Sequence, residues 1–188
     1  MGQSVLVPYR RRVISEAKGR VLEVGFGSGL NLPFYGSDIK QVVGLEPSTT
    51  LLSIARKSNA SASTPADLLD GSAEAIPLGD HSVDTVVSTW TLCSIPDVTG
   101  ALEEIRRVLR PEGRLLFVEH GRSPDAAVRR WQDRLNPVWK PFAGGCNLNR
   151  PISELIQRSG FQIERVDTGY GRGPKPLAFM YEGAARPR

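Results

Sequence analysis

Between residues 23 and 29 the chain reads Glu23-Val24-Gly25-Phe26-Gly27-Ser28-Gly29, three glycines in alternation with an acid two residues ahead of the first. Glycines spaced in this way let a ligand approach the backbone and permit positive φ. A second acid, Glu46, follows Gly25 by 21 residues, and Asp70-Gly71-Ser72-Ala73-Glu74 comes later. A nicotinamide dinucleotide wants G-x-G-x-x-G, with a helix end facing its pyrophosphate. Here Leu30 occupies the sixth position and the third glycine comes one residue early. Glu23 would repel a pyrophosphate and attract an ammonium group. Glu46 can accept two charge-assisted hydrogen bonds from the neighbouring hydroxyls of a ribose. The chemistry selected is a ribose close to a cationic centre with no phosphate chain, a description that S-adenosylmethionine meets.

A second group of residues suits an acceptor. His120 closes an apolar run and is the candidate proton acceptor, since histidine titrates near neutral pH; the alternative is a backbone hydrogen bond at a strand end. Cys93 reads either as a small buried hydrophobe or as a reactive thiol. Trp131, Trp139 and Phe142 offer apolar surface for an acceptor pocket or for helix packing. Cys146, Asn147 and Asn149 lie in a glycine-rich loop that can fold over the site. Two cysteines make neither a disulfide framework nor a zinc site of their own, so no metal is expected.

These residues need elements to hold them. Apolar strands are expected at 20–25, 41–46, 66–69, 83–88 and 114–119, the first followed by a short helical stretch. Helices are expected at 48–58, with Leu51, Leu52 and Ala55 on one face, and at 97–109, stopped by Pro111 and Gly113. Alternation of this kind implies βαβ units and a parallel sheet, with ligands outside the carboxyl ends of the strands. Residues 124–140 and 152–159 read as helices, and 161–168 and 176–182 as an edge hairpin.

The 188 residues suit one domain: 1–18 as a helix and partial lid, 20–120 as a cofactor half, and 121–188 as the acceptor side. No apolar run is long enough to span a membrane. The net charge of +4 is uneven, because residues 1–100 carry 8 basic against 10 acidic groups and residues 101–188 carry 16 against 10. Scattered arginines without a like-charge block give no reason to expect nucleic acid. A cytoplasmic monomer or homodimer is the expectation, with peripheral membrane contact the furthest that the basic half would go.

Glu23 to Gly29, Gly44-Leu45-Glu46-Pro47-Ser48, Asp70 to Pro77, Val83-Asp84 and Leu109 to Arg114 together resemble the successive motifs of class I S-adenosylmethionine-dependent methyltransferases. The resemblance implies a Rossmann-like, seven-stranded, mostly parallel sheet of order 3-2-1-4-5-7-6 with helices on both faces. It also implies that Glu23, Gly25, Gly27 and Gly29 surround the methionine portion and that Glu46 takes the ribose, with Pro47 and Ser48 beside it. Gly71, Ser72, Ala73 and Glu74 would lie along the adenine, and Ser88, Thr89 and Trp90 would floor the methionine end. S-adenosylhomocysteine would be the product.

Leu92-Cys93-Ser94, Glu119-His120, Leu135 to Trp139 and Gly145 to Arg150 are similar to small methyltransferases related to the animal alkyl-thiol enzymes. That implies an acceptor pocket using Cys93, Trp131, Trp139, Cys146 and Asn147, and a small thiol as acceptor. Phospholipid N-methyltransferases and quinone-pathway C-methyltransferases share the first motifs and stand as alternatives, as does a cofactor-binding regulator without turnover. Relatives carry a further apolar helix ahead of the segment matching Val7 to Arg12. Its lack here implies a reduced lid or an acceptor side completed by a partner chain, and membrane attachment does not carry over.

Overall fold

Each β-branched apolar run becomes a strand of one sheet in the computed structural model, which describes residues 3–60 and 62–188. The strands are β1 (Gly19–Val24), β2 (Ile39–Glu46), β3 (Ala66–Asp70), β4 (Val83–Thr89), β5 (Leu109–His120), β6 (Phe161–Tyr170) and β7 (Phe179–Pro187). Their order is β3-β2-β1-β4-β5-β7-β6, as the resemblance implied. The first five run parallel, and β7 lies antiparallel to both β5 and β6. Val21, Leu22, Val86 and Val87 are wholly buried because central parallel strands are covered on both faces.

The helices are α1 (Gln3–Ile14), α2 (Thr49–Asn59), α3 (Val98–Val108), α4 (Ala126–Phe142), α5 (Ile152–Arg158) and α6 (Lys175–Ala178). Side-chain caps set where three of them begin. Ser48 Oγ accepts from the Leu51 N–H, Asp97 from the Gly100 N–H, and Asp125 from the Ala127 and Val128 N–H groups. One face of the sheet packs Val13, Ile14 and Ala55 over Val21, Val42 and Val87. The other packs Leu102, Ile105, Ile152 and Ile156 over Leu22, Val86 and Leu115.

The structure departs from the sequence reading in four places. The expected helix after the glycine loop is a single 3₁₀ turn, Leu32–Phe34. β5 starts earlier than expected, since Leu109 already pairs with Val83 and the chain bulges before Arg114 meets Thr85. Pro111, which lacks an N–H, sits in that bulge where no ladder bond is needed. Residues 175–178 form α6 before β7 begins. Leu51 is 37% exposed while Leu52 and Ala55 are buried, because Leu51 faces a cavity beside the β1 turn rather than the sheet.

Candidate active site

Two cavities open at the carboxyl ends of β1, β2, β4 and β5, and they share a wall. The first encloses about 440 Å³ and is lined by the β1 turn, the end of β2, Gly71 to Ala73, and Thr89 to Thr91. The second encloses about 520 Å³ between Leu6, Trp90, His120, Trp139 and the segment from Arg172 to Ala178. Arg10 and Trp90 line both.

The turn that forms the first chamber depends on backbone geometry. Gly25, Gly27 and Gly29 all have positive φ, at 68°, 59° and 82°. A Cβ on Gly25 would collide with the Thr91 side chain, so only glycine closes β1 against the β4 loop. Glu46 is held ready at the opposite side, where Oε2 accepts the Gly27 N–H at 2.9 Å and Oε1 accepts the Ser48 N–H at 3.0 Å. Those bonds leave lone pairs of a carboxylate beside the cavity, the arrangement that a ribose diol requires.

Glu23 is more constrained. Its Oε2 accepts from Tyr35 Oη at 2.6 Å and its Oε1 from Asn31 Nδ2 at 2.9 Å. Burial pushes its carboxyl up to about 7, against these hydrogen bonds and the nearby Arg10. Arg10 itself donates to Asn31 Oδ1 at 2.6 Å and to Thr89 Oγ1 at 3.3 Å, and its guanidinium lies over the Trp90 ring at 4.8 Å. Trp90 has a positive φ of 54°, a costly conformation for a bulky residue. Its amide bonds Val118 O, its ring meets Tyr9 edge-on, and its indole nitrogen is buried without a partner.

Behind the second chamber, Glu119 organises the loop after β4. Its carboxylate accepts from Ser88 Oγ and from the backbone N–H groups of Thr91, Leu92 and Cys93. Burial raises its carboxyl despite those four bonds. Asn147 ties the second loop to the first, its backbone N–H and its Nδ2 both donating to Cys93 O at 2.8 and 2.9 Å. Cys146 Sγ lies 3.9 Å from His120 Nδ1, and His120 Nε2 is buried without a partner. The Cys146 thiol is drawn down by a hydrogen bond from Cys93 and then, against burial, by His120 and Trp139; Cys93 is pushed up.

Of the residues expected at the cofactor, Glu23, Gly25, Gly27, Glu46, Pro47, Gly71, Ser72, Ala73, Thr89 and Trp90 line the first chamber. Four others do not. Gly29 packs near Leu32, Ser48 caps α2, and Ser88 bonds Glu119. Glu74 accepts from Ser72 Oγ and the Asp97 N–H, which fastens the loop after β3 to the start of α3.

Of the residues expected at an acceptor, His120 and Trp139 line the second chamber. Cys93, Cys146 and Asn147 sit behind it as just described. Trp131 lies on the outside, 54% exposed under the Arg134 guanidinium, and Phe142 is 88% exposed. The reason is a helix offset: Val128, Gln132, Asn136 and Trp139 face the protein, and Trp131, Leu135, Val138 and Phe142 are turned about 100° away. Gln132 secures the inner face through the Ser123 N–H, Gly121 O and Pro176 O. The sequence reading gave no role to Arg10, Asn31, Tyr35, Thr91 or Glu119, though Glu119 and Arg10 stood within segments quoted for the resemblance. Only Glu119 carried a signal, as a charge at the end of an apolar strand.

The chamber fits S-adenosylmethionine: a cradle only glycine can form, a preset carboxylate for the ribose, an acid near the cationic end, and a buried indole N–H without a partner. A sheet of this order with such a site at the β1–β4 crevice defines a class I methyltransferase. Residues 22–117 match the model of the methyltransferase domain, and the chain belongs to that family of S-adenosylmethionine-dependent enzymes. Human thiol S-methyltransferase TMT1B is 31% identical over 93% of this chain and 74% of its own length. Human thiol S-methyltransferase TMT1A is 32% identical over 75% of this chain, which spans 59% of that relative. Among solved structures, a methyltransferase from Thermotoga maritima is 25% identical with a TM-score of 0.71, covering 96% of this chain and 89% of its own. One from Mesorhizobium loti is 20% identical with a TM-score of 0.70 and 98% coverage of both chains.

Proposed function

We propose that the chain methylates the sulfur of a small apolar thiol. The observation that carries this reading is the make-up of the second chamber: apolar walls, two arginines (Arg10 and Arg172) and no carboxylate. An amine is a cation at neutral pH and would meet like charge there. A thiol ionises near pH 8.5, and its anion is favoured by the same arginines. The names of the TMT1 relatives point to the same acceptor class.

Bound S-adenosylmethionine supplies an electrophilic methyl group on a sulfonium. The chain's part is to align the reactants and exclude water. Glu46 and the glycine turn hold the ribose side, Glu23 faces the ammonium group, and Trp90 and Arg10, which line both chambers, border the junction where methyl donor and acceptor would meet. His120 lines the acceptor side, and its free Nε2 takes the acceptor's S–H as a hydrogen bond. Both cysteines are free, which suits a reducing compartment, and we place the reaction in the cytoplasm.

Among the described residues no helix is long and apolar enough to cross a membrane. The test is transfer of labelled methyl to a panel of thiols, amines, phenols and lipids, with products identified by mass. Thioethers from small apolar thiols are expected. Methylation confined to amines or lipids would overturn the reading.

A further inference from the structure

Two soft sulfur donors and an imidazole meet behind the second chamber. Cys93 comes from the loop after β4, His120 from the end of β5, and Cys146 from the loop after α4. Among the described residues they are the one group of three His, Cys, Asp or Glu side chains with metal-ligand geometry, and their donor atoms all lie within 4.8 Å of one another. Zn–S bonds of about 2.3 Å and Zn–N bonds of about 2.0 Å place tetrahedral ligand atoms about 3.5–3.8 Å apart. The 3.9 Å from His120 Nδ1 to Cys146 Sγ is already close to that spacing. The widest pair has about 1 Å or less to close.

The backbone holding these donors is fixed without help from the donors themselves. Asn147 makes two hydrogen bonds to Cys93 O, and Glu119 takes the Cys93 N–H at 3.2 Å. Gly144 and Gly145, at φ of 59° and 85°, turn the chain so that Cys146 reaches back. Both cysteines are buried, and His120 is the member that lines the acceptor chamber. Counting cysteines alone excluded a metal; the fold adds a histidine between them.

We infer that Cys93, His120 and Cys146 bind a zinc ion whose open fourth position takes the acceptor thiol. Soft thiolates with one imidazole select zinc over magnesium or calcium, and three protein ligands with an open position mark a catalytic rather than a structural ion. Two thiolates, a neutral imidazole and Zn²⁺ sum to zero charge, which suits a buried site. The cysteines release two protons when the ion binds. The acceptor thiol releases a third to solvent as it takes the fourth position.

The acceptor sulfur then forms its bond to the methyl carbon as the carbon–sulfonium bond breaks, and that bond's electron pair stays on the departing sulfur. The thioether product is a weaker ligand and leaves. With Nδ1 on the ion, His120 Nε2 carries the ring proton and turns from hydrogen-bond acceptor to donor. The acceptor half of the inference rests on the thiol reading above; the zinc site does not.

The test begins with the full-length protein stripped by a chelator and titrated with Co²⁺ as a visible probe, then with Zn²⁺ in competition. One tightly bound ion per chain is expected, with tetrahedral ligand-field bands and sulfur-to-cobalt charge transfer. Cys146→Ser should lose about half of the charge-transfer intensity and bind at least about tenfold more weakly. Asn147→Ala keeps all three ligands and should weaken binding less. Thermal melts should show zinc raising Tm for the wild type and much less for Cys146→Ser. Adding ethanethiol should change the cobalt bands.

No uptake of either metal, or identical cobalt spectra for wild type and Cys146→Ser, overturns the site. Bands that ignore ethanethiol overturn the acceptor role. Thiol methylation at full rate by the metal-free protein also removes the ion from the reaction and leaves the thiol reading standing. Metal binding without methylation of any thiol would sink the thiol reading and leave the site.

Discussion

Replacing Glu46 with alanine tests the cofactor site at the residue that most depends on it. In the free protein its carboxylate serves only the Gly27 and Ser48 N–H groups, at 2.9 and 3.0 Å. The Gly27 amide lies beside the first chamber, where water can replace the lost acceptor, and Ser48 still caps α2 through its Oγ, so the fold should stay in place. With cofactor bound, the carboxylate would also take two ribose hydroxyls. Hydrogen bonds to a charged group contribute about 1.5–3 kcal/mol each, so the pair is worth about 3–6 kcal/mol. That corresponds to binding weaker by about two to four powers of ten. Glu46→Gln keeps an acceptor oxygen for one amide but turns its NH₂ toward the other donor, and should fall between the two. Titration calorimetry with S-adenosylhomocysteine reads the effect, and circular dichroism checks the fold. A folded Glu46→Ala protein that binds within about threefold of wild type would refute the assignment, since even one lost charged hydrogen bond costs more than that.

Three further outcomes follow from the geometry. Glu23 titrates at about 7 in the folded protein against an ordinary 4.5, so its contribution to stability is full below about pH 4.5 and lost as pH rises through about 7. A cationic ligand needs the ionised form; cofactor affinity should therefore rise with pH up to about 7 and then level off, and Glu23→Gln should flatten that profile in calorimetry. Gly25→Ala combines a φ of 68° with a clash against Thr91, and should cost about 1–3 kcal/mol, a Tm lower by several degrees in a calorimetric scan. Val138→Ser with Phe142→Ser, at 66% and 88% exposure, should change stability by less than about 0.5 kcal/mol per site and reduce retention on a phenyl column; a large loss on denaturant melts would mean that α4 is covered on its outer face.

The sheet was legible because its signals are local. Val83 to Ser88 is apolar on both faces, and strand, helix and glycine turn recur at βαβ spacing. Glu23 and Glu46 could be found for the same reason, each sitting near the end of a strand, the first just ahead of the glycine turn and the second just ahead of Pro47 and the Ser48 cap of α2. The second chamber was less legible, because hydrophobic periodicity shows that a helix has an apolar stripe and not what lies against it. In α4 the polar Gln132 and Asn136 face inward, and Trp131 and Phe142 face out. Long-range meetings left still less trace. Arg10 reaches Thr89 across 79 positions, and Cys93, His120 and Cys146 have none of the short spacings by which metal ligands are recognised in a sequence.

The walls of the second chamber come from distant parts of the chain. Its floor is Trp90, just past the end of β4, and His120, at the end of β5; its roof is Leu6 and Arg10 of α1 with the Arg172 to Ala178 connection ahead of β7. Both roof segments lie outside the stretch matching the family's domain. Substitution at Leu6 or along 172–178 would therefore reshape the second chamber without touching the glycine turn or Glu46, whereas Arg10 is shared by both chambers. A laboratory library aimed at the second chamber would best be confined to Leu6 and the 172–178 connection, because those positions leave the first chamber's lining as it stands.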